Sequence, residues 1–177
     1  MQKSILLTSF TTWKPEQVTN SSDDLVGAFL SANPHWRNLR TIRQLPVDFE
    51  RAPEIAIAAI DRFRPDLVIC CGMAEKRDRL NLESRAVVDE EVLTTGLDLA
   101  LLIQGLEMTD ISEDAGQFVC NRLYYELLKD TAQQGGDRHC LFIHVPVLTP
   151  ENRSAILSDF QRLLQRLAQP AVLQAVS

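Results

Sequence analysis

The run DLVICCG, residues 66–72, constrains what this chain can fold into more than any other stretch. Pro65 stops whatever precedes it, Leu67 to Cys71 bring five apolar side chains in succession, and Gly72 ends the run. Alternate residues of a strand face opposite sides, so an unbroken apolar strand is covered on both faces. That arrangement belongs to the middle of a parallel sheet with helices above and below.

The remaining pattern agrees. Ser4 to Phe10 reads as a first strand, and Ser21-Ser22-Asp23-Asp24 supplies an N-cap and an acidic first turn for a helix through Ala32. Leu39 to Val47 reads as extended, Phe49 to Arg64 as a helix closed by Pro65, and Arg79 to Val88 as one more strand. Leu93 to Leu106 fits strand and helix equally. A helix over Gly116 to Gln133 turns Phe118, Leu123, Leu127 and Leu128 to a core. Gly135-Gly136 ends it, and a last strand runs from Cys140 to Val145. The final helix, Glu151 to Leu167, carries Ile156, Phe160, Leu163, Leu164 and Leu167 on one face and stops at Pro170. The fold class is α/β: a three-layer αβα sandwich with a mostly parallel twisted sheet and helices on both faces. At 177 residues and 45% hydrophobic, residues 1–177 are expected to form a single domain.

A net charge of −6 and a pI near 5.1 exclude a phosphate backbone or an anionic membrane as partner, since both need clustered Lys and Arg. The opening MQKSILLTSFTTW is too short in apolar residues to span a bilayer and lacks a signal cleavage site, so a cytoplasmic location is expected. Cysteines 70, 71, 120 and 140 show no disulfide spacing, in keeping with a reducing compartment.

In sheets of this kind, sites form at strand ends and in the loops leading into helices. Cys120 follows such a loop, MTDISEDAG, in the first turn of a helix, where free N–H groups and the helix dipole favour thiolate over thiol. Unpaired cysteine commonly packs as a small hydrophobe, so a nucleophile's role needs a base. His35 sits in a polar surface loop, and His139 precedes the last strand as a solvated ring. His144, embedded in CLFIHVPVL at a strand's C-terminal end, is either a satisfied core histidine or that base. Glu83 in NLESRAV is either a solvent-facing carboxylate or the acid that orients the imidazole.

These residues resemble the motifs of the pyroglutamyl peptidase I family, the C15 cysteine peptidases. FVCN at 118–121, preceded by Ala115-Gly116 and followed by Tyr125, is similar to the cysteine motif. FIHVP at 142–146 is similar to the histidine motif, and Glu83 with Ala86-Val87 to the glutamate motif. Thr8, Phe10 and Asn20-Ser21-Ser22 match the family's opening more loosely. The resemblance runs from residue 4 to about residue 168. It implies Cys120 as nucleophile, His144 as general base and then acid, and Glu83 as the orienting carboxylate. It further implies hydrolysis after an N-terminal pyroglutamyl group through a thioester, with neither metal nor cofactor. The substrate would be a peptide or small acyl amide held by Phe10, Trp13 and the backbone near Met73, and a homo-oligomer is one expected assembly.

The chain also departs from the pattern. SFTTWKP stands for the family's GFxPFGG loop, and GMAEKR for a glycine-rich segment, although Gly72 and Arg77 remain. Ser84 replaces an arginine, Arg85 is displaced by one position and so expected on the opposite strand face, and Val88 replaces an asparagine. The stretch from Glu83 to Cys120 is short. A pocket wider and more exposed than the family's is therefore expected, with a relaxed substrate choice. Two other readings stand beside the peptidase: a catalytically silent relative that binds a ligand or partner, and a metal site of Cys120, Cys140, His139 and His144, which lacks any paired ligand spacing.

Overall fold

The computed structural model describes residues 2–135 and 137–169. Its elements, in chain order, are β1 (Ile5–Phe10), α1 (Ser21–Ala32), β2 (Leu39–Leu45), α2 (Arg51–Phe63), β3 (Leu67–Met73), β4 (Leu80–Glu83), β5 (Arg85–Val88), β6 (Glu91–Thr94), α3 (Leu99–Leu102), β7 (Thr109–Ser112), α4 (Val119–Gln134), β8 (His139–Val145) and α5 (Arg153–Leu167). Six strands form one sheet in the order β2-β1-β3-β8-β4-β7, and β5 with β6 form a separate hairpin. The pairs β1–β2, β1–β3, β3–β8 and β4–β7 are parallel, and β4 runs against β8.

β3 takes the central place that its apolar run predicts. Leu67, Ile69 and Cys71 face one side with α1 and α5, while Val68 and Cys70 face the other with α2 and α4. Each large side chain fully buried in these layers contributes about 1.5–3 kcal/mol. All five apolar residues of the α5 stripe are fully buried. Arg64 closes α2 in the left-handed region (φ 44°), and Pro65 prevents the helix from continuing.

Several boundaries move. Arg79 to Val88 is not one strand: Ser84 stands between the two sheets, its N–H donating to the Ser112 carbonyl of β7 and its carbonyl accepting from the Thr95 N–H beside the hairpin, where the chain restarts as β5. The period-two argument about Arg85 therefore fails, because residues 83 and 85 lie in different sheets. Arg85 donates its Nε to the Glu113 carbonyl at 2.8 Å. The ambiguous 93–106 stretch resolves into the end of β6, turns and the short α3. β7, read as loop, is a four-residue edge strand whose Asp110 and Ile111 face solvent, too short for its alternation to register. Phe118 does not enter the core. It precedes α4 and is 47% exposed, because the apolar face of the helix starts one residue later at Val119. Pro170 and Gly136 lie outside the described residues.

Candidate active site

Three elements that meet on the α2/α4 side of the sheet carry the chemistry. β8 ends with His144, which packs its ring on Phe142 at a centroid distance of 4.9 Å. β4 is antiparallel to β8, so its last residue, Glu83, pairs with Phe142 on the rung below, while Asn81 pairs with His144 itself. Asn81, Glu83, Phe142 and His144 consequently share one face. Glu83 Oε1 lies 2.7 Å from His144 Nδ1, with the carboxylate fully buried and the imidazole nearly so. A carboxylate accepts, so Nδ1 carries the proton, and Nε2 is the ring's free acceptor. Glu83 Oε2 and Asn81 Oδ1 are buried without a hydrogen-bond partner among the described residues. The Tyr124 hydroxyl, one helical turn beyond Cys120, donates to the Glu83 carbonyl at 2.8 Å and fixes the end of β4 from the helix side.

Cys120 reaches the same rung from above. Gly72 pairs with His144 across β3 and β8. A Cβ placed on Gly72 would lie 2.7 Å from Cys120 Sγ and 2.8 Å from Phe142 Cζ. The sulfur thus rests on the bare backbone of Gly72, one strand from the imidazole. The chain arrives there through a turn in which Gly116 adopts φ +78° and donates its N–H to Asp114 Oδ1 at 2.9 Å. Among the described residues no side chain caps the N-terminus of α4, so its first N–H groups lack a side-chain acceptor, and that of Cys120 turns to its own sulfur.

The thiolate expected from that position is not the resting form. Burial pushes the Cys120 thiol up to about 12, the Cys70 thiol and the Glu83 carboxylate add to the rise, and only the bond from its own backbone N–H opposes it. Desolvation outweighs the helix start here. Burial likewise pushes Cys70 to about 12 and raises Cys71 and Cys140 well above the ordinary thiol value. Of the four, Cys120 alone is only partly buried.

Phe10, Trp13 and Met73 line one cleft together with Cys120. Sequence reasoning missed its other walls, Asn20, Val47, Phe118 and Val119. Asn20 is recognisable as the N-cap of α1, but nothing in the sequence says that this helix start faces the sulfur. The cleft is mostly apolar and narrow, with a volume of about 30 Å³. Drug-sized sites enclose about 300–1,000 Å³, so this is a tight apolar slot beside the sulfur. A strap holds the Trp13 wall: the N–H groups of Trp13 and Lys14 donate to Gln17 Oε1, Gln17 Nε2 donates to Glu75 Oε1 at 3.0 Å, and Lys14 pairs with Glu75.

Cys140 and His139 sit at the opposite end of β8 from His144, about 13 Å away along the strand for four residues. The four-residue metal site cannot assemble, and no three metal-binding side chains gather among the described residues. His35 is exposed, as its loop predicts. His139 is half-buried rather than solvated, and burial holds its pKa below the ordinary histidine value. No helix among the described residues is long and apolar enough to cross a membrane.

Comparison with known proteins agrees with the motifs. The family model described as pyroglutamyl peptidase matches residues 96–159, which include Cys120 and His144. The pyrrolidone-carboxylate peptidase of Bacillus licheniformis is 26% identical over 186 residues, covering 84% of this chain and 80% of the relative. Pyrrolidone-carboxylate peptidase 1 of Photorhabdus laumondii is 26% identical, covering 82% and 80%. The crystal structure of pyroglutamyl peptidase I from Bacillus amyloliquefaciens superposes with a TM-score of 0.82 at 21% identity, over 99% of this chain and 100% of that one. That of the pyrrolidone carboxyl peptidase from Thermococcus litoralis gives 0.78 at 20% identity, over 94% and 93%. By motif order, matched segment and fold together, the chain is similar to the pyroglutamyl peptidases and shares their α/β fold.

Proposed function

We propose that the chain is a cysteine peptidase of pyroglutamyl-peptidase type, removing an N-terminal pyroglutamyl or closely related lactam or acyl group by a Cys120-His144-Glu83 triad. The observation that carries this reading is the bond from His144 Nδ1 to Glu83 Oε1 beneath a small apolar cleft that Cys120 shares with Phe10, Trp13 and Met73.

The chemistry follows from the protonation pattern. Cys120 rests as a thiol, so His144 Nε2 takes its proton as the sulfur attacks the acyl carbonyl carbon. The negative charge that forms on the carbonyl oxygen meets the free N–H groups at the start of α4. The imidazolium is stabilised by Glu83 and gives its proton to the departing amine, which leaves a thioester on Cys120. His144 then draws a proton from water, hydroxide adds to the thioester, and collapse releases the acid and restores the thiol. The cleft holds the lactam ring between Phe10 and Trp13, and the Met73 backbone is the partner of its polar edge.

Turnover of a fluorogenic pyroglutamyl amide, measured beside Cys120→Ala, tests this. Release by the native chain that the variant abolishes supports it. No release, together with failure of acyl-directed electrophiles to label Cys120, would sink it in favour of a silent, ligand-binding relative.

A further inference from the structure

A wide groove opens between β5 and the start of α4, with a volume of about 730 Å³. Phe118 lines both this groove and the small cleft, so the groove begins where the cleft ends, on the far side of the Cys120 helix start. Its wall is apolar. Phe49 and Phe118 meet edge-on at 5.7 Å and are 48% and 47% exposed, and Val87 beside them is 39% exposed. Large apolar side chains exposed together mark a surface that receives something. The rim is not neutral. Arg85 is engaged by Glu113 at 3.5 Å and Arg122 by Glu126 at 2.8 Å, whereas the carboxylates of Asp89 and Asp114 form no ion pair among the described residues, Arg77 reaching only the Asp114 carbonyl at 3.1 Å.

We propose that this groove receives the peptide on the leaving side of the bond that Cys120 cleaves, taking an apolar side chain against Phe49, Phe118 and Val87 and disfavouring acidic sequences through Asp89 and Asp114. The inference rests on the peptidase reading above. With the acyl group seated in the cleft and its carbonyl at the sulfur, the rest of the peptide extends out of the cleft, and Phe118, which lines both, borders the groove. A peptide fits the groove better than a second flat surface does, because the site is concave and adjoins the cleft at Phe118.

The experiment compares kcat/KM for three substrates, a pyroglutamyl coumarylamide, a pyroglutamyl-leucyl peptide amide and a pyroglutamyl-glutamyl peptide amide, in the native chain, in Phe49→Ala and in Val87→Ser. The leucyl peptide should exceed the glutamyl one by about tenfold or more in the native chain, and both variants should shrink that ratio toward one. Turnover with the same ratio in all three proteins would overturn the groove while leaving the peptidase standing. No turnover of any substrate by the native chain would overturn both. A native dimer that Phe49→Ala converts to monomer in sedimentation would mean that a second copy covers the groove, and would likewise overturn this assignment.

Discussion

The side chain of Asn121 is bonded at both its ends to the backbone of one residue, Val87. The Val87 N–H donates to Oδ1 at 3.0 Å, and Nδ2 donates to the Val87 carbonyl at 2.6 Å. The residue after Cys120 thereby ties the start of α4 to β5 as a third strand would. Asn121→Ala should lower stability by about 1–3 kcal/mol, the cost of leaving such groups unpaired. It should also lower kcat more than KM, because the sulfur loses its anchor. Denaturant melts and initial rates read the two effects.

Glu83→Gln separates stability from activity. Glu83 is fully buried, and its Oε2 has no partner, so an amide relieves the cost of a half-satisfied buried carboxylate. We expect the variant to be as stable as the native chain or more so. It should turn over about 10²- to 10⁴-fold more slowly, since the imidazole loses the acceptor that sets its tautomer. Equal activity in the variant would remove Glu83 from the mechanism.

Gly72→Ala should strike the sulfur directly. The new methyl would sit 2.7 Å from Cys120 Sγ and 2.8 Å from Phe142 Cζ, closer than real contacts allow, so the start of α4 must lift away. A cost of about 1–3 kcal/mol and a loss of about 10²-fold in kcat are expected, and a crystal structure of the variant would show the displaced helix start.

Alkylation of Cys120 tests its resting state. Burial pushes the thiol up to about 12. A raised acid favours the neutral form at lower pH, so in His144→Ala the iodoacetamide rate should keep climbing past the usual thiol value, about 8.5, with no plateau. A plateau near that value would mean that the sulfur is less desolvated than its surroundings indicate. In the native chain Cys120 should still be labelled before Cys70, Cys71 and Cys140, which are fully buried.

The strap across the cleft should respond to pH and salt. The hydrogen bonds from Lys14 and Gln17 hold the Glu75 carboxyl below its ordinary value. The anion that closes the strap is therefore present above the usual carboxylate range and is lost as pH falls through the lowered value. Glu75→Ala should raise KM about two- to fivefold with little change in kcat, the scale of an exposed pair, and added salt should act in the same direction on the native chain.

The layers were legible because they rest on a local rule, an unbroken apolar strand, and Cys120 and His144 stood out as candidates by their places at a helix start and a strand end. What escaped depends on contacts between distant segments. Ser84 is bonded to Ser112 on one sheet and to Thr95 beside the other, and no feature of RLNLESRAVV reveals those partners. The helix-start rule for Cys120 was sound as far as it went, but it said nothing of how much apolar matter Phe142 and Cys70 would stack around the sulfur. Phe118 read as core because its spacing fits the helix, whereas it stands just before the first turn and faces the groove.

The break at Ser84 decides where this chain tolerates change of length. Upstream of it, residues 72–83 must keep their count, because a one-residue slip of β4 against β8 would swing Glu83 to the opposite face of the sheet. Downstream, the β5–β6 hairpin turns at exposed Asp89 and Glu90, outside the sheet that aims the triad. An inserted loop or a fused domain at that turn should leave the reacting residues in place. The rim beside the cleft can thus be lengthened or trimmed by editing one hairpin while the register that pairs Glu83 with His144 stays fixed.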